Sequence, residues 1–280
     1  MTAIPVYYSD DMLAESGCRS PGLSKPKPVI EAWQHAGLPI ELRPIVPAAL
    51  EEMSLAHDPA YVSALLACEI ENGFRNRSSD IARTIPYAVG SVIGATETAM
   101  ESGVACATGS GFHHAHFSEA RKFCSINGIC VAAIRLLRAK RVQRVLILDL
   151  DFHWGDGTDD VLERLNLENE IVNASLGKYF CTAAQAPAYL REVERIARLF
   201  PSFDLILYQA GADLSVNDPL GGVLSDAQMK SRDRIVFEAA KAARVPLAWT
   251  LAGGYQVPLS GTIKLHTITM QECARAYIPQ

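Results

Sequence analysis

The sequence predicts an α/β fold, a central parallel sheet flanked by helices, and three observations carry that prediction. Short apolar runs alternate with longer amphipathic stretches, the pattern of strands and helices taking turns along the chain. The short runs are apolar almost without interruption, as strands covered on both faces are. With 280 residues, 49% of them hydrophobic, the chain can fill one large core, and no Pro-, Gly- or Ser-rich linker divides it. Residues 1–280 are therefore taken as a single domain.

In chain order, the first clear element is a helix opening at His57-Asp58-Pro59, where Asp caps and Pro fits the first turn. Residues 69–83 follow as a polar, irregular stretch, and Asn72-Gly73, Arg75, Asn76, Arg77, Ser78, Ser79 and Asp80 read as an exposed loop that could border a binding site. Helices are expected over 85–102, 126–139, 186–199 and 225–243, each with apolar residues three and four apart. The last begins with Ser225 and Asp226, both N-terminal signals. Strands are expected over 104–108, 145–150, 205–209 and 246–251, each short and rich in Val, Ile or Leu.

Charge and composition exclude several classes of function. The balance of 26 Lys+Arg against 31 Asp+Glu leaves a formal charge of −5, and no basic tract supplies the footprint that phosphate contacts require. Direct contact with nucleic acid is not expected. The opening residues MTAIPVYYSDDM lack the features of a secretory signal, and no apolar stretch approaches the length of a membrane span. Seven cysteines, at 18, 68, 106, 124, 130, 181 and 273, contain no C-x-x-C pair, which speaks for reduced, mostly buried thiols in a cytoplasmic protein.

The chemistry lies where the apolar strands stop, since ligands of open parallel sheets bind beyond the carboxyl ends of the strands. One run continues as Asp149-Leu150-Asp151-Phe152-His153-Trp154-Gly155-Asp156. Alternation along an extended chain puts Asp149, Asp151 and His153 on one side. A second run ends in Ala210-Gly211-Ala212-Asp213, which completes two carboxylates and an imidazole. Such a set is costly to bury without a cation and suits zinc or ferrous iron with one position left open. Behind Gly111-Phe112 come His113 and His114, placed to serve as base and acid, with Asp149 and Asp156 to orient their far ring nitrogens. His116 is assigned to the surface. The fourth strand ends in Gly253-Gly254-Tyr255, a glycine pair that lets a phenol reach a developing oxyanion.

Taken together these residues resemble the zinc-dependent histone deacetylase superfamily, in its compact bacterial or class IV-like branch and related to acetylpolyamine amidohydrolases. The ordered motifs are GFHHA at 111–115, FC at 123–124, DLDFHWGDGT at 149–158, SL at 175–176, GAD at 211–213, DPLGG at 218–222 and GGY at 253–255. The resemblance implies a three-layer arginase/deacetylase-type α/β fold and hydrolysis of an N-acyl amide. It makes Asp151, His153 and Asp213 zinc ligands, with iron or cobalt as substitutes. Asp149, Ser175 and the backbone of Asp151, His153 and Leu176 would hold a structural potassium ion. His113, His114, Tyr255, Asp149 and Asp156 become the catalytic set, with His114 taking the water proton and both imidazoles kept basic by their acids. Phe112, Phe123, Lys122 and Gly253 would meet the substrate: an acylated lysine, an acylated polyamine or another small N-acyl amine.

Two departures from the family pattern stand out. Lys122 occupies a position where the family usually has Gly, and it would narrow or charge the tunnel mouth; a cationic mouth would not attract lysine-rich tails strongly. The segment after Ser175 lacks a longer Gly-rich loop, so one tunnel wall is expected to be short. The acidic residue that some members use to orient the substrate backbone has no clear match, and Asp80 is the candidate. Two other readings remain open: a catalytically weak metal- or acyl-binding regulatory module, and a binuclear manganese ureohydrolase of the arginase type. The sequence does not reveal the oligomeric state.

Overall fold

The computed structural model describes residues 1–15, 17 and 20–279; Cys18 lies outside the described residues. Strands β1 (Ile4–Tyr7), β2 (Ile40–Arg43), β3 (Val104–Ala107), β4 (Val145–Asp149), β5 (Ile171–Ser175), β6 (Leu205–Gln209) and β7 (Leu247–Thr250) form one sheet in the order β2-β1-β3-β7-β6-β4-β5. Every pairing is parallel. Helices α1 (Pro26–His35), α2 (Leu50–Met53), α3 (Pro59–Leu66), α4 (Ser79–Ser102), α5 (Gly128–Arg138), α6 (Asp156–Leu165), α7 (Ala186–Ala197), α8 (Asp226–Ala243) and α9 (Ser260–Tyr277) cover both faces.

The central strands are apolar throughout because alternate residues feed two different cores. On one face Leu146 and Leu148 of β4, Ile206 and Tyr208 of β6, and Trp249 of β7 pack with Trp33, Tyr189, Phe237 and Met270 from α1, α7, α8 and α9. On the other, Val145, Ile147, Leu205, Leu207 and Ala248 pack with Val62, Val92, Ile134 and Val161 from α3, α4, α5 and α6. This is the three-layer arrangement expected of an all-parallel sheet.

Local signals act as read. The Asp58 side chain accepts from the Ala60 N–H with Pro59 in the first turn of α3. Ser225 and Gln228 form a reciprocal capping box at the start of α8. The four expected strands are present, each at most one residue shorter at either end. The stretch over 69–83 corrects the sequence reading. Its last part, from Ser79, already belongs to α4, and Asn72 and Gly73 are buried. The Asn72 amide turns inward, bonding the Phe74 N–H and Asn76, so polarity here marks a tied turn rather than a solvated loop.

The register places the site. Ala107, Thr250, Gln209, Asp149 and Ser175 are successive partners across β3, β7, β6, β4 and β5. They form a single row at the carboxyl edge, so the loops that follow these strands are neighbours in space.

Candidate metal and catalytic site

Immediately beyond that row the chain from β4 bends around its own carboxylates. The Asp151 N–H lies 3.3 Å from Asp149 Oδ1, and the His153 N–H donates to Asp151 Oδ1 at 2.9 Å. The loop after β6 brings Asp213, whose Oδ1 accepts from the Phe152 N–H at 3.1 Å. The His153 Nδ1 then stands 3.0 Å from Asp213 Oδ2 and 3.2 Å from Asp151 Oδ1. One ligand atom from each of Asp151, His153 and Asp213 lies within 4.8 Å of the others, close enough to share an ion.

Glycines bring the surrounding backbone this close. A Cβ on Gly253 would fall 2.6 Å from Asp151 Oδ2 and nearer still to Asp213 Oδ2, and one on Gly211 would fall 2.6 Å from the Asp151 Cα. Without a side chain, Gly253 instead donates its N–H to Asp151 Oδ2 at 2.8 Å.

Asp151 and Asp213 are both fully buried. Burial and the Asp151 charge beside it push the Asp213 carboxyl up, the response expected when two carboxylates share a dry site. A divalent cation would relieve both effects, and two oxygens with one imidazole nitrogen match the donor set of a catalytic zinc or ferrous site. Among the described residues this is the one such group of three donors. Asp218, the next acid along the chain, is already engaged, accepting from the Tyr255 N–H at 2.7 Å and the Leu220 N–H at 3.0 Å.

The loop after β3 delivers the tandem histidines, their rings 4.0 Å apart. The His113 Nδ1 meets Asp149 Oδ2 at 2.9 Å, and the His114 Nδ1 meets Asp156 at the start of α6. The two imidazoles diverge. Burial works against His113, but Asp149 and Asp151 outweigh it and hold it up at about 9. For His114, burial and the neighbouring His113 outweigh Asp156 and bring it down to about 4. The carboxylates thus favour the charged form of the His113 ring, and burial favours the neutral form of the His114 ring, the form that can act as a base. Tyr255 is kept protonated by burial and by the charges of Asp151 and Asp213, so its phenol stays a donor.

Several expected residues sit where the sequence reading put them, and others do not. Phe123 and Lys122 line the pocket with Gly253, Tyr255 and both histidines. Phe112 is buried beneath it, in the adjoining cavity, with its ring against Gly109 and Gly128. Lys122 and Phe123 adopt left-handed backbone, φ +45° and +68°, the conformation that favours glycine. The Lys122 ammonium reaches Asp156 Oδ2 at 3.2 Å. Asp80 is exposed in the first turn of α4 and is not among the pocket walls. His116 is half-buried rather than superficial, 3.7 Å from Asp156 and 3.5 Å from Asp160, because its backbone carbonyl is tied inward to His57. Ser175 pairs in register with Asp149, and the Leu176 N–H donates to the Asp149 carbonyl at 3.2 Å. The short segment after them folds back so that Gly177 presses on the His153 backbone and Lys178 lies 4.5 Å over the Trp154 ring.

Three site residues escaped sequence reasoning. Lys25 is fully buried, with its ammonium donating to the Ala252 carbonyl; burial pulls it down to about 8 against the support of Asp213, Asp151 and Asp218. Gln209 donates to Asp149 Oδ1 at 3.0 Å, a role its position at a strand end could have suggested. His57 is the third, treated below.

Comparison with known proteins finds relatives in sequence and in fold. The profile of the histone deacetylase domain matches residues 24–176, more than half of the chain. An uncharacterised protein of Picosynechococcus sp. is 26% identical over 248 residues, covering 80% of this chain and 82% of that one. Histone deacetylase 2 of Arabidopsis thaliana is 30% identical over 187 residues, 60% of this chain and 48% of the relative. Histone deacetylase 8 of Xenopus tropicalis is 30% identical over 173 residues, 54% and 43%. Half or less of each named deacetylase is therefore matched. The crystal structure of the HD domain of HDA15 superposes with a TM-score of 0.77 at 18% identity, covering 97% of this chain and 90% of that one, a likeness of fold.

Proposed function

The chain belongs to the histone deacetylase family, whose domain implies deacetylase-type hydrolysis, and from that premise we propose that it is a zinc-dependent deacylase. Its substrates would be acylated lysine, acylated polyamines or other small N-acyl amines, from which it releases a carboxylate and the free amine. The observation that carries this reading is the convergence of the Asp151–His153–Asp213 cluster, two imidazoles shifted in opposite directions and a protonated Tyr255. A regulatory module that only bound metal would have no use for the last three.

A zinc ion, or iron or cobalt in its place, held by those three ligands would polarise the acyl carbonyl and make water acidic enough to react near neutral pH. The remaining work falls to the chain. Asp156 takes the His114 Nδ1, which leaves Nε2 as the nitrogen that removes a proton from the attacking water. His113, charged and paired with Asp149, steadies the negative charge that develops beside it. The Tyr255 phenol donates to the oxyanion as the carbonyl carbon becomes tetrahedral. Collapse expels the amine, which leaves with a proton returned from the histidine pair. Asp149, Ser175 and Leu176, with the backbone of Asp151 and His153, are the residues proposed to hold potassium; a cation there would fix the carboxylate that orients His113.

Acetate release from an acetyl-lysine peptide and from an acetylpolyamine by zinc-reconstituted protein tests the reading, with Asp151→Ala as control. Turnover lost in the control supports it. A zinc-loaded protein inert across a broad acyl panel would overturn it.

A further inference from the structure

Arg232 and Asp233, early in α8, form an ion pair closed off from solvent, their side chains 0% and 1% exposed. Burying both charges is costly, and apolar residues of similar size often serve stability as well or better. What the pair supplies instead is direction. The Arg232 Nε donates to Asp233 Oδ1 at 2.9 Å, and Nη2 stands 2.8 Å from the same oxygen. Asp233 is fixed in turn from two other elements: it accepts from the Tyr208 hydroxyl on β6 and, through Oδ2, from Thr269 Oγ1 on α9 at 2.7 Å. These bonds pin the plane of the guanidinium.

Its remaining nitrogen serves the metal-binding loops. Nη1 donates to the Gly211 carbonyl at 2.7 Å and to the Leu150 carbonyl at 3.2 Å. Strands β4 and β6 are last in register at Asp149 and Gln209, so Leu150 and Gly211 lie one and two residues past the final pair. Leu150 is joined directly to Asp151, and Gly211 stands two residues before Asp213. One nitrogen therefore bridges the two loops that carry the carboxylates. It does so where clearance is small, since a Cβ on Gly211 would fall 2.8 Å from Asp213 Oδ1 and 3.0 Å from Asp151 Oδ2.

We propose that Arg232 is a positioning residue for the metal: by joining the Leu150 and Gly211 carbonyls it sets the separation of Asp151 and Asp213, and with it the affinity for the ion and the geometry the ion adopts. It acts through the backbone carbonyls rather than on the carboxylates themselves. A lysine in its place would keep the charge but lose the planar fork that spans Asp233 and both carbonyls. The inference rests on the metal-binding part of the proposed function and is independent of which amide is cut.

The test measures zinc dissociation constants by titrating zinc-loaded protein with a chromophoric chelator, below the Tm of every variant, and records visible absorption spectra of the cobalt-loaded proteins. Wild type is compared with Arg232→Lys, Thr269→Val and Val193→Ala. Val193 is buried on α7 in the core that α8 also joins, so Val193→Ala shows what a loss of stability does without touching the Arg232 bonds. Arg232→Lys should weaken zinc binding about 10-fold to 100-fold, the usual cost of losing a residue that holds a metal ligand in place, and should shift the cobalt bands. Thr269→Val, which frees one side of Asp233, should weaken it about threefold to tenfold, the equivalent of one hydrogen bond. Val193→Ala should bind zinc as the wild type does. A folded Arg232→Lys protein with wild-type zinc affinity and cobalt bands overturns the inference, as does an equal loss of affinity in Val193→Ala. Should Arg232→Lys not fold, wild-type affinity in Thr269→Val overturns it. A wild type that holds no zinc removes the metal reading and the inference with it. A wild type that holds zinc yet cuts no acyl amide refutes the deacylase reading alone, and the effect of Arg232→Lys on zinc still decides the inference.

Discussion

Replacing His57 with Gln should flatten the loss of stability on acidification. His57 is completely buried between the tandem-histidine loop and the start of α5. Its Nδ1–H donates to the His116 carbonyl at 2.9 Å, with the Phe117 carbonyl at 3.2 Å, and its Nε2 accepts the Asn127 N–H at 2.8 Å. Both ring nitrogens are therefore committed to one neutral tautomer, and a second proton would point at the Asn127 N–H. Burial, against the pull of the two carbonyls, lowers the pKa from 6.5 to about 4. The folded value lies below the unfolded one, so between those pH values the unfolded chain binds a proton that the folded protein refuses. Stability then falls as pH falls through that window. The full displacement corresponds to about 3 kcal/mol. Urea unfolding followed by circular dichroism at about pH 7 and about pH 4, on wild type and His57→Gln, isolates it. Carboxylates and the buried His266 titrate in both proteins and drop out of the comparison. The variant should start lower, by about 1–3 kcal/mol for the disturbed bonds, yet lose about 3 kcal/mol less on acidification. Parallel losses in the two proteins would refute the argument.

Other outcomes follow from the site. Gly253→Ala places a methyl group against both ligand carboxylates, so metal content by elemental analysis should collapse while the circular dichroism spectrum persists; a fully loaded variant would contradict the packing. Tyr255→Phe should lower kcat by about 10² to 10³, the usual cost of one oxyanion donor, with metal content unchanged; near-normal kcat would remove Tyr255 from the chemistry. Treatment with a chelator should abolish activity and lower the Tm, and added zinc or cobalt should restore both, since an ion bound by the folded state alone stabilises it. A Tm indifferent to chelation would argue against a metal at Asp151, His153 and Asp213.

Much of the site was legible because the chemistry sits at the ends of strands buried on both faces. Runs such as Leu205–Gln209 are apolar throughout, so the polar residues that end them stand out. The strands that went unread lack this contrast. β1, paired on both sides, is only four residues long and contains Pro5; the two edge strands are polar, β2 with Glu41 and Arg43 and β5 half-exposed around Asn173, and edges tolerate such residues. Lys25 was unreadable for another reason: its partner, the Ala252 carbonyl, is 227 positions away, and nothing local marks a lysine for burial. The opposite shifts of His113 and His114 depend on Asp149 and Asp151 facing His113 against its burial, and on burial and the neighbouring His113 acting on His114, which adjacency in sequence does not convey.

The row across the carboxyl edge of the sheet bears on the order of folding. Asp151 and His153 follow β4, Asp213 follows β6, and Gly253, which holds Asp151 in place, follows β7. No local hairpin can bring these together, because each pairing closes a loop of roughly forty residues or more, an entropic cost met only when the long-range contacts form. An ion can therefore be captured only after the middle of the sheet has assembled. Metal uptake during refolding should trail the burial of Trp249 on β7, which makes the ion a timer for completion of the core rather than a seed for it.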